Sequence, residues 1–172
     1  QKALTELNRM GPKEMPNNPD MDGLGKYGTA SVVNPQHSMG TLPTYNYNAG
    51  QFSEAEELSG EKMYDTILKG VPEGKQDKQG RDTCYSCVVR CKRVVEIKEG
   101  PYQVDEKYGG PEYETLGTFG SYCGIKDQAA VSLANQICNE HGVDTIACGA
   151  TIAFAMECYE KGILTKEDTG GL

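Results

Sequence analysis

Nowhere in the 172 residues does an apolar run approach the ~18–20 residues needed to cross a bilayer, which excludes a helical membrane span. No secretory leader is visible either. Apolar residues make up only 37% of the chain, against 21 glycines and 8 prolines, so long irregular connections and a core that leans on a partner surface are expected. Positive charge is also short: 17 Lys and Arg face 25 Asp and Glu, for a net charge of −8. A phosphate backbone would be repelled, so nucleic acid is set aside as a partner, and the acidic balance points to solubility, with room for docking to a basic redox partner. Histidine is scarce. His37 and His141 have no partner at metal-ligand spacing, and loop or surface positions account for both. Internal repeats and low-complexity stretches are absent. The length suits one domain or part of a larger one. Gln1 at the start and Thr169-Gly170-Gly171-Leu172 at the end read as cut ends, so the chain is expected to be an excised piece of a larger protein.

What is present is mostly helical pattern. Residues 1–9 predict a helix ended by Gly11-Pro12, and 11–26 an irregular connection. A short helix is expected over Tyr27–Val33, before Pro35, and an extended or loop segment over Gly40–Asn48. Ser53 opens a helix with Glu54, Glu56 and Glu57 near its positive end, and a second pulse runs from Ser59 to Lys69. Residues 71–81 read as a charged flexible loop, and Val94–Ile97 as a short strand broken by Gly100-Pro101. Asp127 caps a helix with Ala130, Leu133, Ala134 and Ile137 on one face, ended by Gly142. A last helix runs from Asp144 to Lys161, apolar nearly all round and therefore expected to be buried. The fold class is mainly α: an irregular helical domain with a minor short β element near the cysteines.

Seven cysteines in an odd count, with Cys138, Cys148 and Cys158 inside helical patterns, favour a reducing cytoplasm over a disulfide scaffold. Three others form the run Asp82-Thr83-Cys84-Tyr85-Ser86-Cys87-Val88-Val89-Arg90-Cys91. C-x2-C-x3-C is uncommon by accident and suits a soft metal centre, above all an iron–sulfur cluster. A [4Fe–4S] cubane takes four thiolates, and the run supplies three. Structural zinc would need a fourth ligand, for which neither His141 nor Cys123 has the usual pairing. Radical-SAM enzymes use the reverse order of gaps, and bacterial ferredoxins continue differently. Arg81, Arg90, Lys92 and Arg93 flank the run, either to offset a net-negative cluster or merely as solvated charge.

Two further segments admit chemistry. In Asn139-Glu140-His141-Gly142-Val143-Asp144-Thr145, Gly142 reads as a left-handed C-cap and Asp144 as the next N-cap. The same geometry, backbone N–H groups beside a carboxylate, can bind the edge of a polar heterocycle. Gly109-Gly110-Pro111-Glu112-Tyr113-Glu114-Thr115 places two carboxylates in a glycine-rich bend. They either complement a helix dipole or serve as a proton-moving group beside a cofactor.

In this order, the cysteine run, Gly110-Pro111-Glu112-Tyr113-Glu114-Thr115, Gly142-Val143-Asp144-Thr145-Ile146 and Thr151-Ile152-Ala153-Phe154-Ala155-Met156-Glu157 together resemble the tungsten-containing aldehyde:ferredoxin oxidoreductase family. Gly40-Thr41-Leu42-Pro43-Thr44-Tyr45-Asn46 is similar to that family's segment before the cysteines. The resemblance covers essentially all of 1–172 and corresponds to the middle of the family's polypeptide, with a fold like its domain 2. It implies an N-terminal pterin-binding β domain before this piece and a last helical domain after it.

It also implies a tungsten (or molybdenum) bis-pyranopterin beside a [4Fe–4S] cluster. Cys84, Cys87 and Cys91 would be three cluster ligands, the fourth coming from a D-x-x-G-L-C motif that this chain lacks. The family's D-x-x-G-L-D pterin motif is matched by Asn139, Gly142, Val143 and Asp144, with Asn139 removing one charge. The carboxylate near tungsten is matched by Glu114, better than by Glu112. A partnering histidine acid and the family's dimer metal ligands are not recognisable here, although the resemblance leaves room for a homodimer.

The implied activity is oxidation of a small aldehyde to a carboxylic acid with ferredoxin as electron acceptor, the isolated piece being inactive. The alternatives are a benzoyl-CoA-type aromatic acyl-CoA reductase subunit of the same family, or a non-catalytic Fe–S electron-transfer module.

Overall fold

The computed structural model describes residues 1–14, 17–85 and 87–171. Its helices are α1 (Lys2–Glu14), α2 (Pro19–Tyr27), α3 (Val33–Met39), α4 (Gly60–Thr66), α5 (Gln76–Gln79), α6 (Tyr113–Thr115), α7 (Gln128–His141) and α8 (Thr145–Glu160). The sheet is two short antiparallel strands, β1 (Arg81–Asp82) and β2 (Lys92–Arg93), in register Arg81↔Arg93 and Asp82↔Lys92. The mainly helical expectation holds, with the β element where the cysteines are.

Several boundaries differ from the sequence reading, each for a local reason. α1 continues through Gly11-Pro12. It lies against the cysteine loop there: a Cβ on Gly11 would meet Val88 Cγ1 at 2.6 Å. The stretch read as irregular contains α2, started by Asn18, whose Oδ1 accepts from Met21 N at 3.3 Å, with Pro19 at the first helical position. The short helix expected over Tyr27–Val33 is a 3-10 turn, Gly28–Val32, and α3 follows it past Pro35. Pro35 is the third residue of α3, where a missing N–H costs no intrahelical bond. Where Ser53 was read as opening a helix, there is only a 3-10 turn, Ala55–Leu58. α4 is capped as expected, Ser59 accepting from Lys62 N at 3.0 Å. It ends early because Leu68 and Lys69 pair instead with the strand-like segment, Lys69 N donating to Val94 O at 2.8 Å. The expected flexible loop holds a 3-10 turn, Val71–Glu73, and α5. The predicted strand 94–97 is reduced to isolated bridges, Leu68↔Val95 and Ile97↔Val104.

The core gathers Leu42, Phe52, Leu58, Met63, Leu116 and Val131 from segments far apart in sequence. α7 starts where expected, with Asp127 accepting from Ala129 N (2.9 Å) and Ala130 N (3.2 Å). Leu133 and Ala134 of its apolar face pack against the core, but the most buried side is rotated from it. Gln128, Val131, Ser132, Asn135 and Cys138 are buried, whereas Ile137 is 49% exposed. Polar partners set the rotation: Gln128 Nε2 donates to Ser59 O at 3.0 Å and Ser132 Oγ to Gln128 O at 2.8 Å.

The largest departure is α8. Its apolar centre was expected to be buried, yet only Gly149 and Ala153 are, and Phe154 is 61% exposed. The helix packs through one narrow strip: a Cβ on Gly149 would meet Thr118 Cβ and Oγ1 at 2.7 Å.

The segment expected to be loop is a tight turn closed by the bridge Thr44↔Ala49. Tyr45, Asn46 and Tyr47 are all left-handed, with φ of 48°, 50° and 67°, at a cost of about 1–2 kcal/mol each. The cost is offset by ties to the body: Tyr45 N to Ser121 O (3.0 Å), Asn46 N to Tyr122 O (3.2 Å), and the Asn46 amide to Glu157. Lys161, Asn46 and Asn48 hold the Glu157 carboxyl down at about 2, against 4.5 ordinarily. Because the folded-state value is the lower one, this anchoring is complete above about 4.5 and is lost as pH falls toward about 2. Glu157→Gln is therefore expected to flatten the acid dependence of stability across that window, read from denaturation midpoints at a series of pH values.

Candidate functional site

The two strands make the cysteine run the loop of a β-hairpin. β1 leads in, β2 leads out, and Cys84, Cys87 and Cys91 lie between. Ser86 lies outside the described residues. Cys87 N donates to Cys84 O at 3.0 Å, and Thr83 Oγ1 donates to Cys87 O (2.5 Å) and Cys84 O (3.1 Å), so one hydroxyl ties the first turn. Arg90, in the left-handed region at φ 54°, returns the chain to the body, its guanidinium donating to Arg81 O at 2.5 Å. All seven cysteines are free thiols, Cys84 exposed and Cys87 and Cys91 half-buried.

Among the described residues no trio of His, Cys, Asp or Glu closes on a single metal ion. A lone tetrahedral ion would draw its sulfurs to about 4 Å of one another. A cubane binds each thiolate to a different iron, so its ligands stand further apart. Three free thiols on one hairpin loop are the donor set that would supply part of an iron–sulfur cluster's ligands. Burial, then the Glu112 carboxylate and the neighbouring thiols, push the Cys91 thiol up.

Beneath the loop, the corner between α2 and the following 3-10 turn holds two functional segments at once. Gly28, at φ +69°, is required there: a Cβ would meet Cys91 O at 2.7 Å and Arg93 Cγ and Nε at 3.0 Å. Arg93 is buried, donating to Lys26 O, to Arg90 O and, at 3.2 Å, to Gly25 O. Burial lowers its pKa to about 10, which leaves it cationic at neutral pH. Next along the corner, Thr29 Oγ1 donates to Glu112 and accepts from Tyr113 N at 2.9 Å, fixing the glycine-rich bend.

That bend passes into α6 and then a π-helical turn, Leu116–Gly120, an element that concentrates at functional sites. The π turn is stitched to the start of α8. Thr115 Oγ1 and Thr145 Oγ1 are 2.9 Å apart, and Thr118 Oγ1 reaches Glu114 O (2.9 Å) and Thr145 O (3.3 Å). Both caps read from sequence are present: Gly142 at φ 67°, and Asp144 accepting from Ala147 N at 2.8 Å.

A groove of about 500 Å³ results, lined by Glu112, Glu114, Asn139, Val143 and Asp144, with Arg93 in its wall. The sequence-predicted acid and the pterin-type turn thus meet in one cavity, although Glu114 and Asn139 are 25 positions apart in the chain. The cysteine thiols are next to it rather than in it. Asn139 donates its amide to Asn135 O at 2.8 Å, which orients the side chain, and the cap occupies one oxygen of Asp144. A carboxylate, an amide and the N–H groups opening α8 are suitable partners for the polar edge of a pterin. Sequence reasoning missed Gly28 and Thr29, which carry no motif; it placed Thr115 and Thr145 inside motifs without giving them a role, and it left Arg93 open between offsetting a cluster and plain solvated charge, whereas the structure buries it.

Replacing Glu112 by Gln removes a negative charge that raises the Cys91 pKa. In the metal-free protein, Glu112→Gln is expected to speed alkylation of Cys91 by iodoacetamide several-fold near neutral pH, followed by peptide mass spectrometry.

The sequence profile of the family described as "Aldehyde ferredoxin oxidoreductase, domains 2 & 3" matches residues 6–172. The tungsten-containing aldehyde ferredoxin oxidoreductase of Thermococcus kodakarensis is 41% identical over 149 residues, 86% of this chain and 22% of the relative. The Pyrococcus furiosus protein of the same name is 40% identical over 148 residues, with the same coverage. A second Pyrococcus furiosus protein, an aliphatic sulfonate oxidoreductase WOR-like subunit, is 35% identical over 86 residues, 50% of this chain and 14% of that protein. The chain therefore spans about 22% of the length of the aldehyde ferredoxin oxidoreductases it matches. With the hairpin thiols, the acid bend and the capped turn assembled in one corner, the chain belongs to the aldehyde ferredoxin oxidoreductase family, in the region of its domains 2 and 3.

Proposed function

We propose that the protein carrying this chain oxidises aldehydes to carboxylic acids and delivers the electrons to ferredoxin. In this reading residues 1–172 form one mostly helical piece of a larger enzyme. The observation that supports it is the shared groove, where Glu114 faces the same cavity as Asn139, Val143 and Asp144, with the cysteine hairpin forming the adjoining wall. The overall change is RCHO + H2O → RCOOH + 2 H⁺ + 2 e⁻. A tungsten or molybdenum bis-pyranopterin and a [4Fe–4S] cluster would supply the two-electron acceptance and its division into single electrons.

The chain's own residues bind, orient and move protons. Asn139 and Asp144, with the backbone at Gly142 and Val143, would hold a pterin edge. Cys84, Cys87 and Cys91 would give three thiolates to the cluster. Glu114 is exposed to the groove on the first turn of α6, where its carboxylate oxygen can take the proton of the water that adds to the carbonyl carbon. Seven free thiols accord with a reducing cytoplasmic setting. No helix among the described residues is long and apolar enough to cross a membrane.

The sulfonate oxidoreductase relative favours a second reading in which the same groove serves another substrate class. A turnover panel of aldehydes, sulfonates and aromatic acyl-CoA thioesters on the full-length protein separates the two. That protein is expected to contain iron and tungsten or molybdenum. Glu114→Gln should lower aldehyde turnover by about 10²–10⁴-fold with metal content unchanged. A folded protein with neither metal, or full turnover in the variant, would overturn the assignment.

A further inference from the structure

We propose that Arg93 is a positioning residue for the iron–sulfur cluster, a buried cation that fixes the outgoing strand of the cysteine hairpin and counterbalances the negative charge the loop carries. The inference rests on the reading that the hairpin thiols bind that cluster. Arg93 is 3% exposed, yet its hydrogen bonds go to the carbonyl oxygens of Gly25, Lys26 and Arg90 and, among the described residues, to no carboxylate. Its Nε is buried and has no acceptor among the described residues. A buried cation without a paired carboxylate is unfavourable, and an anionic group in the adjoining site offsets part of that cost. Arg93 is two residues beyond Cys91 on the strand that leaves the loop, where Arg81 and Arg90 repel its charge and Cys91 and Glu112 attract it.

A cubane bound by thiolates is net negative and becomes more so on reduction. A fixed cation on this strand therefore eases the uptake of the electron and raises the cluster potential. The fork to three carbonyls has a second effect. It locks β2 onto the end of α2, so that the third thiol is presented before any cluster arrives. Lysine can keep the charge but cannot reproduce the fork.

The two effects separate in two variants of the full-length protein, each measured for iron per chain and for cluster midpoint potential by EPR-monitored redox titration. Arg93→Gln is expected to lose iron and to shift the remaining cluster to a more negative potential. Arg93→Lys should also lose iron but hold its potential near that of the parent. Parent-like iron and potential in Arg93→Gln would overturn the inference. Should Arg93→Gln not accumulate as folded protein, Arg93→Lys decides, and full iron content in it would be equally fatal. Absence of iron from the parent protein would instead remove the cluster reading itself, a distinct result.

Discussion

The corner at residues 25–29 is the constraint on which the rest of the site depends. A helix ends there with its last carbonyl oxygens pointing out, and the residue that follows it, Gly28, has no side chain. Those two facts let a buried guanidinium settle against the helix terminus while the backbone of Cys91 passes directly over Gly28. A single hydroxyl further along, Thr29, holds the glycine-rich bend by giving one hydrogen bond to a carboxylate and receiving one from a backbone amide. The thiol loop and the acid bend are therefore placed relative to each other by a third segment that contains no reactive group of its own.

A second seam fixes the other wall. The threonines of α6 and the π turn reach the first turn of α8, so the carboxylate of Glu114 and the cap at Asp144 are held on facing elements. Placing acid and binding turn on short helical termini, with the hydrogen bonds made behind them, leaves the front of both open to the groove. That is the arrangement expected where a bulky cofactor must enter edge-on and still find donors and acceptors already oriented.

What could be read in the sequence divides along physical lines. The caps at Asp127, Gly142 and Asp144 are local chemistry, complete within a few residues, and all three stand where the pattern put them. The cysteine spacing is equally local, but the hairpin that bears it has no sequence signal, and the short strand expected nearby was set at 94–97 instead of 92–93. The misreadings came from competition over distance. α4 gives up its last turn because Leu68 and Lys69 find strand partners across the fold, and α7 turns its polar residues inward because Gln128 finds a carbonyl on Ser59. α2 was legible after all, in the Asn18-Pro19-Asp20 start that composition alone had marked as a breaker. Nothing around Thr29 announces a role, and the place of Arg93 beside the cysteines did not reveal its burial, since each makes a contact spanning more than 60 positions.

α8 carries one further consequence. Most helices are held in their rotation by an apolar side and a polar side, so that turning one exposes grease to water. α8 is greasy around its whole circumference, and no such restoring force acts on it. Its angle about its own axis is keyed instead by the notch at Gly149, into which the Thr118 backbone and side chain fit, together with the hydrogen bonds at Thr145 and Glu157. Filling that notch would do more than loosen a contact. It would leave the helix free to settle at some other angle, and the carboxylate of Asp144 at its tip would swing with it.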